Sequence, residues 1–209
     1  MRIALRHLRA VDPDMAALIG RVGPFRLTPQ RDREPYEALV RAIAYQQLHG
    51  RAAQMILGRF VAVYPGAAFP SPEMVLATDS GVLRACGFSA GKVAAIRDIA
   101  TKAAEGVVPS RRAAARLSDA ALIERLTTIR GVGRWTVEML LIFTLGRPDV
   151  LPVDDFGVRE GYRRLRGLAE QPRPRALAEL GALWAPYRST AAWYLWRAAE
   201  EGRTIKQPA

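Results

Sequence analysis

The segment IRGVGRWTVEML, residues 129–140, contains two glycines separated by one valine. Glycines at this spacing could bring backbone N–H groups close to an anion, because no side chain intervenes. Three structures fit the spacing: a phosphate-binding loop for a nucleotide cofactor, an ordinary corner between two helices, or a helical hairpin that contacts the DNA backbone. The flanking residues distinguish between them.

A dinucleotide-binding fingerprint needs a strand before the glycines and a third glycine three positions after the second one. The preceding segment, DAALIERLTTI (119–129), has a helical pattern, and Thr136 stands where the third glycine would be. The cofactor interpretation is therefore disfavoured. The remaining interpretation is a helix, a tight turn and a second helix that starts at Gly133. The unpaired N–H groups at that helix start could bind a DNA phosphate. A plain helical corner has the same pattern.

Two adjacent aspartates, Asp154 and Asp155, follow the hairpin by about twenty residues, after a loop that contains glycine and proline. Aspartate near the start of a helix is favoured as an N-terminal cap, so capping alone would account for the pair. The combination of a glycine hairpin, a Gly/Pro loop and an aspartate is more specific than any of its parts.

The elements that must position these residues are helical. Apolar residues recur at helical spacing along most of the chain, the breaks are Gly, Pro, Ser and Asp, and no segment alternates as a strand does. We expect an all-α fold of ten to twelve short helices, in two helical lobes with the active-site cleft between them. Residues 1–209 are expected to form one domain of two subdomains, with a crossing near 105–116 and the hairpin at 126–140.

The composition limits the class of protein. No apolar run is long enough for a membrane span, and we expect no secretion signal. Cys86 is the only cysteine, which excludes an internal disulfide framework and an iron–sulfur cluster held by four cysteines of this chain. The net charge of +11, nearly all from arginine, favours a nucleic-acid partner, although a GC-rich genome would also enrich arginine.

The hairpin, loop and aspartate together resemble the helix–hairpin–helix superfamily of DNA glycosylases, and within it the 3-methyladenine DNA glycosylase II branch. RAIAYQQLHGRAAQMILGRF resembles the wedge segment of that branch, LRACGFSAGKVAAIRDIA the helix after it, and PYRSTAAWYLWRAAE its C-terminal aromatic helix. The similarity runs from about residue 10 to 201. Arg130 departs from the family, which usually has proline there. No segment of this sequence is expected to form the N-terminal β-rich domain of larger bacterial relatives, so the resemblance implies the compact form.

The resemblance implies hydrolysis of the bond between an alkylated purine and deoxyribose, through a transition state that resembles an oxocarbenium cation. It assigns to Asp155 the carboxylate that stabilises this charge and orients or deprotonates water. Asp154 is then expected to cap the helix or anchor the loop. Purines alkylated at N3 or N7 carry a positive charge and leave without protonation, so aromatic faces would select them. The candidate pocket walls are Tyr45, Trp135, Tyr194 and Trp196. Core packing is the alternative for each.

The same resemblance places an intercalating wedge at Leu48, with Gln47 and His49 beside it in the minor groove, to fill the space left by an extruded base. Leu48 could instead be a core leucine, and His49 a helix cap. The other DNA contacts are expected in and after the hairpin turn, at Gly131, Val132, Gly133, Arg134 and Thr136.

Bifunctional members of the superfamily have a lysine nucleophile two residues after the second hairpin glycine. Trp135 stands there, so no Schiff base and no strand cleavage are expected. Two other functions remain as alternatives: a non-catalytic DNA-binding hairpin module, and an endonuclease III-like lyase, which the missing lysine and cysteines disfavour.

We expect no metal and no cofactor, except that a structural monovalent cation could bind the hairpin carbonyls. The expected partner is double-stranded DNA with alkylated bases, with no membrane, and the protein is expected to act as a monomer. Its expected location is the cytoplasm, at the nucleoid, in a bacterium and the nucleus in a eukaryote.

Overall fold

Residues that favour the N-terminal cap of a helix recur along the sequence, and several helices begin directly after them. Ser71, Asp79, Ser89 and Ser118 each accept a hydrogen bond from a backbone N–H in the first turn of the helix that follows. A side-chain oxygen in this position satisfies one of the donors that a helix leaves unpaired at its start. Each of these four residues therefore favours a helix that begins directly after it.

The structure is a computed structural model that describes residues 1–204, with side chains as far as residue 201. Its thirteen α-helices within those residues are α1 (Arg2–Val11), α2 (Pro13–Val22), α3 (Pro35–Tyr45), α4 (Gly50–Ala62), α5 (Pro72–Ala77), α6 (Ser80–Ala85), α7 (Ala90–Ala104), α8 (Arg111–Ala114), α9 (Asp119–Leu126), α10 (Arg134–Met139), α11 (Phe156–Leu165), α12 (Pro174–Leu180) and α13 (Arg188–Thr204). A π-helical turn, Leu140–Leu145, continues α10, and a 3-10 turn, Ala182–Trp184, follows α12. The described chain has no strand, so the all-α prediction is confirmed. None of these helices is long and apolar enough to cross a membrane.

The described chain divides into two compact units. The first contains Met1–Pro29 and the residues from Leu141 onward, and the second is Gln30–Leu140. The chain therefore passes from one unit to the other at two places, after Pro29 and after Leu140. The crossing predicted near 105–116 is wrong, because that segment lies inside the second unit.

The segment 105–116 has the composition of a surface connection, but it is packed. Val108 and Ala114 are buried. Arg125 donates a hydrogen bond from Nε to the carbonyl of Val107 (2.7 Å). Buried apolar side chains and a guanidinium bonded to backbone carbonyls hold the segment in the second unit. Its Gly, Pro, Ser and Arg residues are typical of an exposed segment, so the composition does not indicate this packing.

The core of the first unit forms where α11 packs along α13. The two backbones touch, because a Cβ added at Gly161 would overlap the carbonyl of Leu195. Trp184 is fully buried in the same core, and its indole donates to the carboxylate of Asp12 (2.8 Å). That carboxylate also caps α2 and pairs with Arg166 at 2.7 Å. This packing fixes the start of α11 against the middle of α13.

The second unit is built around α7, which packs against α3, α5 and α6. Ile96 and Ile99 on α7 are fully buried. Phe60 extends this core through edge-to-face contacts with Tyr64 and Phe88, at ring-centroid distances of 5.6 Å for both.

Candidate active site and nucleic-acid interface

The loop that leads into α11 is held by the first turn of α13. Ser189 Oγ accepts a hydrogen bond from the N–H of Val150 (2.9 Å) and donates to a backbone carbonyl in the same loop (2.7 Å). Arg188 bonds both carboxylate oxygens of Asp149, at 2.7 and 2.8 Å. These hydrogen bonds from Arg188 hold the pKa of the Asp149 carboxyl below its usual range. The start of α13 thus sets the course of the chain towards Asp155.

Asp155 is both the N-terminal cap of α11 and a partner of Trp196. Its Oδ1 accepts a hydrogen bond from the N–H of Val158 (2.8 Å) and another from the indole Nε1 of Trp196 (2.8 Å). Both donors are uncharged, and together they orient the half-buried carboxylate. The capping and catalytic interpretations of Asp155 are therefore compatible.

The prediction that Asp154 caps the helix or anchors the loop is wrong. Asp154 is exposed, and its carboxylate makes no hydrogen bond or ion pair with a described residue. The cap is one residue later, because the backbone stays extended as far as Asp155 (φ −68°, ψ 125°) and becomes helical after it.

Asp155 lines an open cavity of about 460 Å³ in the first unit, together with the aromatic residues Phe156 and Trp196. Trp196 stacks on Phe143 with their ring centroids 5.5 Å apart. Phe156, directly after Asp155, lines the cavity and is 64% exposed. The cavity is lined by Asp155, Phe156, Gly157, Glu160, Arg164, Trp196, Ala199 and Glu200. Trp196 therefore lies where the resemblance predicts, and the two phenylalanines are additional aromatic groups that the sequence reasoning missed.

Gly157 allows the indole of Trp196 to reach Asp155. A Cβ added at Gly157 would lie 2.8 Å from Cδ1 of Trp196 and 3.1 Å from Oδ1 of Asp155. Both distances are shorter than ordinary contacts. The sequence carries a signal for this role, since Gly157 follows Asp155 by only two residues, but the sequence reasoning passed over it.

The prediction that Tyr194 lines the pocket is wrong. Tyr194 is fully buried, and its hydroxyl donates to the carbonyl of Gly23 (2.9 Å). Its ring packs edge-on against Trp193 at 4.8 Å, and burial raises the pKa of its hydroxyl. Residues two apart on a helix point in nearly opposite directions. Because Trp196 faces Asp155, Tyr194 must face the core.

In the second unit, the hairpin turn between α9 and α10 exposes backbone donors. Gly131 has a positive φ of 75°, which a glycine adopts readily. Gly133 occupies the N-terminal cap position of α10, and no side chain caps this helix. The N–H groups of Gly133 and Arg134 have no acceptor among the described residues, so they can bind an anion. The phosphate contact predicted from the glycines stays a prediction, and these two N–H groups are the donors that it requires.

Not every predicted hairpin contact can be made by a side chain. Val132 and Thr136 are each 4% exposed, so the prediction that they contact DNA is wrong for their side chains. Both face inward because the turn and the first turn of α10 bury one side of the hairpin. Arg134 is exposed and pairs with the buried Glu138 (2.9 Å).

Arg130, which stands where the resembled family usually has proline, uses a group that proline lacks. Its backbone N–H donates to Oδ2 of Asp98 (2.7 Å). On the other side of the turn, the carbonyl of Gly131 accepts a hydrogen bond from the Gln46 side chain (3.1 Å). The structural cation expected at the hairpin carbonyls stays a prediction. Among the described residues, no cluster of His, Cys, Asp and Glu could hold a metal ion.

The segment after α3 presents Leu48 to solvent. Gln47 has a positive φ of 56°, Leu48 is 39% exposed, and His49 is exposed. The core interpretation of Leu48 is therefore wrong. The capping alternative for His49 is also wrong, because its side chain makes no cap hydrogen bond at the start of α4.

Tyr45 and Trp135 line an open, mostly apolar groove in the second unit. They are 42% and 45% exposed, so core packing is excluded for both. The groove has a volume of about 460 Å³, and its other lining residues are Ala42, Gln46, Gln47, Thr136 and Met139. The second unit thus brings together the predicted aromatic, hairpin and wedge residues.

Comparison with known proteins identifies the family of this chain. The family model described as "HhH-GPD superfamily base excision DNA repair protein" matches residues 40–186. The chain is 45% identical over 197 residues to DNA-3-methyladenine glycosylase 1 of Schizosaccharomyces pombe, an alignment that covers 93% of this chain and 86% of the relative.

Two solved structures are similar in fold. One is 3-methyladenine DNA glycosylase of the same yeast in complex with abasic DNA, with a TM-score of 0.85, 44% identity, and coverage of 94% of this chain and 96% of that one. The other is a DNA-3-methyladenine glycosidase from Bacillus halodurans, with a TM-score of 0.87, 33% identity, and coverage of 96% and 91%. The chain belongs to the HhH-GPD superfamily of base excision DNA repair proteins. The resemblance drawn from the hairpin is confirmed, and the protein is a DNA glycosylase.

Proposed function

We propose that the Asp155 cavity catalyses monofunctional hydrolysis of the N-glycosidic bond of alkylated purines in double-stranded DNA. The substrates are 3-methyladenine and 7-methylguanine, and the reaction starts base excision repair. The observation that carries the proposal is the Asp155 carboxylate, oriented by the Trp196 indole and the Val158 N–H in an open cavity with aromatic walls. The relatives named for 3-methyladenine support the choice of substrate.

The reaction needs one carboxylate, which accepts a proton, and one water molecule. Asp155 stabilises the positive charge that develops on the sugar and accepts a proton from the attacking water. The water oxygen bonds to the sugar carbon as the bond from that carbon to the base breaks. The base leaves with the bonding electron pair, which neutralises its formal positive charge. No proton has to be delivered to the leaving group.

The charges in the cavity support a leaving group that is already cationic. Glu160 is the acidic cavity residue closest in sequence to Asp155, and it accepts hydrogen bonds from Arg163, Arg164 and Gln171. These bonds, led by that from Arg163, lower the pKa of Glu160 to about 2. Glu160 is therefore ionised near neutral pH and cannot act as a general acid. Aromatic faces attract a cationic base by ~0.5–2 kcal/mol.

The second unit supplies the DNA contacts of the proposal. The N–H groups of Gly133 and Arg134 bind a phosphate, and Leu48 enters the stack where the base has left, with Gln47 and His49 beside it. Trp135 stands at the position of a lyase lysine, so the enzyme leaves an abasic site intact. We further propose that the protein works as a monomer, without a metal or cofactor in catalysis, in the compartment that holds the genome.

The test is incubation of a methylated duplex with the purified protein, followed by chromatography of the released bases. Free 3-methyladenine and 7-methylguanine are expected, with no strand break before alkali and no adduct trapped by borohydride. Failure to release either base would contradict the proposed activity, and a trapped adduct would contradict its monofunctional character. Binding without base release would instead indicate a non-catalytic hairpin module.

A further inference from the structure

Helix α7 contacts both segments of the second unit to which the proposed function gives DNA contacts. In its first turn, Lys92 Nζ donates to the carbonyls of Ala44 (2.9 Å) and Gln46 (2.8 Å), just before the exposed Leu48. Six residues further along α7, Asp98 accepts the N–H of the hairpin residue next to Gly131. One helix thus holds both the wedge segment and the hairpin turn.

The ammonium of Lys92 lies where the chain leaves α3. The last carbonyls of a helix have no partner within the helix, and they lie at the negative end of its dipole. A cation there makes charge-assisted hydrogen bonds, and burial lowers the pKa of the Lys92 ammonium. Lysine suits this place because a compact ammonium can bond two carbonyls that do not share a plane, whereas a guanidinium presents a planar fork.

The residue that follows these carbonyls is strained. Gln47 has a positive φ of 56°, which a residue with a side chain rarely adopts. Such a conformation persists only where the surroundings enforce it. On one side of Gln47, Lys92 fixes the carbonyl of Gln46, and the Gln46 side chain is bonded to the hairpin at Gly131. On the other side, the N–H of Leu48 donates to the carbonyl of Tyr45 (3.3 Å).

We propose that Lys92 is a positioning residue for base extrusion, which holds Gln47 in its left-handed conformation and so presents Leu48 to the DNA. This inference rests on the wedge role proposed above for Leu48. Without the ammonium, the carbonyls of Ala44 and Gln46 turn to solvent, Gln47 relaxes to a common backbone conformation, and Leu48 loses its direction.

The test compares Lys92→Met, Leu48→Ala and the double variant in single-turnover excision of 7-methylguanine. Each is assayed on a paired duplex and on a duplex in which the lesion lies in a bubble of non-complementary bases, where little extrusion is needed. We expect Lys92→Met to slow excision from the paired duplex about tenfold or more and from the bubble less than about threefold. Since both changes act on one step, the double variant should be no more than about twofold slower than the slower single variant.

Two further variants separate positioning from folding. Lys102→Met, on the same helix, removes a lysine that forms an ion pair with the nearby Glu105, and it should excise 7-methylguanine from both substrates at the wild-type rate. Lys92→Arg keeps the charge but not the two-carbonyl geometry. It should melt near the wild-type temperature and still lose excision selectively on the paired duplex, which keeps the test valid if Lys92→Met does not fold. A fluorescent 2-aminopurine next to the lesion should show less unstacking with both Lys92 variants.

Each contrary result has a distinct meaning. Equal losses on the paired and bubble substrates, or multiplied losses in the double variant, would overturn the positioning role and leave the proposed function intact. Wild-type excision by Leu48→Ala would overturn the wedge and the role of Lys92 with it. If the wild-type protein releases no base from either substrate, the proposed function itself is wrong, and this inference falls with it.

Discussion

Replacing Gly157 by alanine should separate the Asp155–Trp196 contact from the folding of the chain. The new Cβ would lie 2.8 Å from Cδ1 of Trp196. Carbon atoms in ordinary contact are about 3.5–4.0 Å apart, so the indole must move by about 1 Å. A shift of that size lengthens the 2.8 Å hydrogen bond from Trp196 to Asp155 beyond a useful distance. Misplacement of a catalytic group by about 1 Å can cost about 100-fold in rate, so we expect excision to fall about 10- to 100-fold.

The assay is single-turnover release of 7-methylguanine at saturating enzyme, with a thermal melt of each variant. Gly20, inside α2, is the matched control, because a Cβ there meets nothing within 4 Å. Gly20→Ala should gain about 0.5–1 kcal/mol from the restricted unfolded chain, raise Tm by about 1–4 °C, and leave excision unchanged. Gly161→Ala, whose Cβ would overlap the Leu195 carbonyl, should fail to fold properly. If Gly157→Ala excises as fast as Gly20→Ala, the reasoning about the indole contact is refuted.

Four other outcomes follow from the same structure. Trp196→Phe removes the hydrogen-bond donor to Asp155 and should slow excision about 10- to 100-fold, the effect of losing a hydrogen bond to a charged group. Trp135→Ala removes an aromatic face and should slow excision of methylated purines more than excision of neutral hypoxanthine. Glu160 has a folded pKa of about 2, below its usual value of 4.5, so its stabilisation is complete above about pH 4.5 and is lost as the pH falls towards 2. A Glu160→Gln variant should therefore lose less Tm over that range than the wild type does. Affinity for an abasic duplex should fall with salt at about −0.9 in log–log slope per phosphate contact, for roughly three to six contacts, and a flat response would mean that the net charge of +11 is not a DNA-binding feature.

The local sequence predicted the parts of the site that depend on short-range motifs. The Gly-Val-Gly turn joins two helices as expected, and Asp155 lies at the start of the helix that follows the Gly/Pro loop. The prediction that Asp154 is the cap was wrong because the exact start of a helix depends on backbone angles. Sequence patterns locate that start only to within a residue or two.

The long-range parts could not be predicted with the same accuracy. Tyr194 and Trp196 both lie on α13, where residues 189–195 are all buried, so the pattern does not show which aromatic residue faces Asp155. The Lys92 contact joins residues that are 46 and 48 positions apart, and no periodic pattern reports such a pair. The segment 105–116 was misplaced because burial of Val108 depends on neighbours that are distant in sequence.

The most direct test of the central claim is Asp155→Asn. Asparagine caps a helix about as well as aspartate, and it keeps an oxygen for the Trp196 indole, so this change removes the charge and little else. In single-turnover release of 3-methyladenine and 7-methylguanine, Asp155→Asn should be slower by ~100-fold or more, with binding to an abasic duplex preserved. Asp154→Asn, at the exposed neighbouring position, should excise at nearly the wild-type rate. Near-wild-type excision by Asp155→Asn, or a larger loss in Asp154→Asn, would contradict the assignment of the catalytic carboxylate.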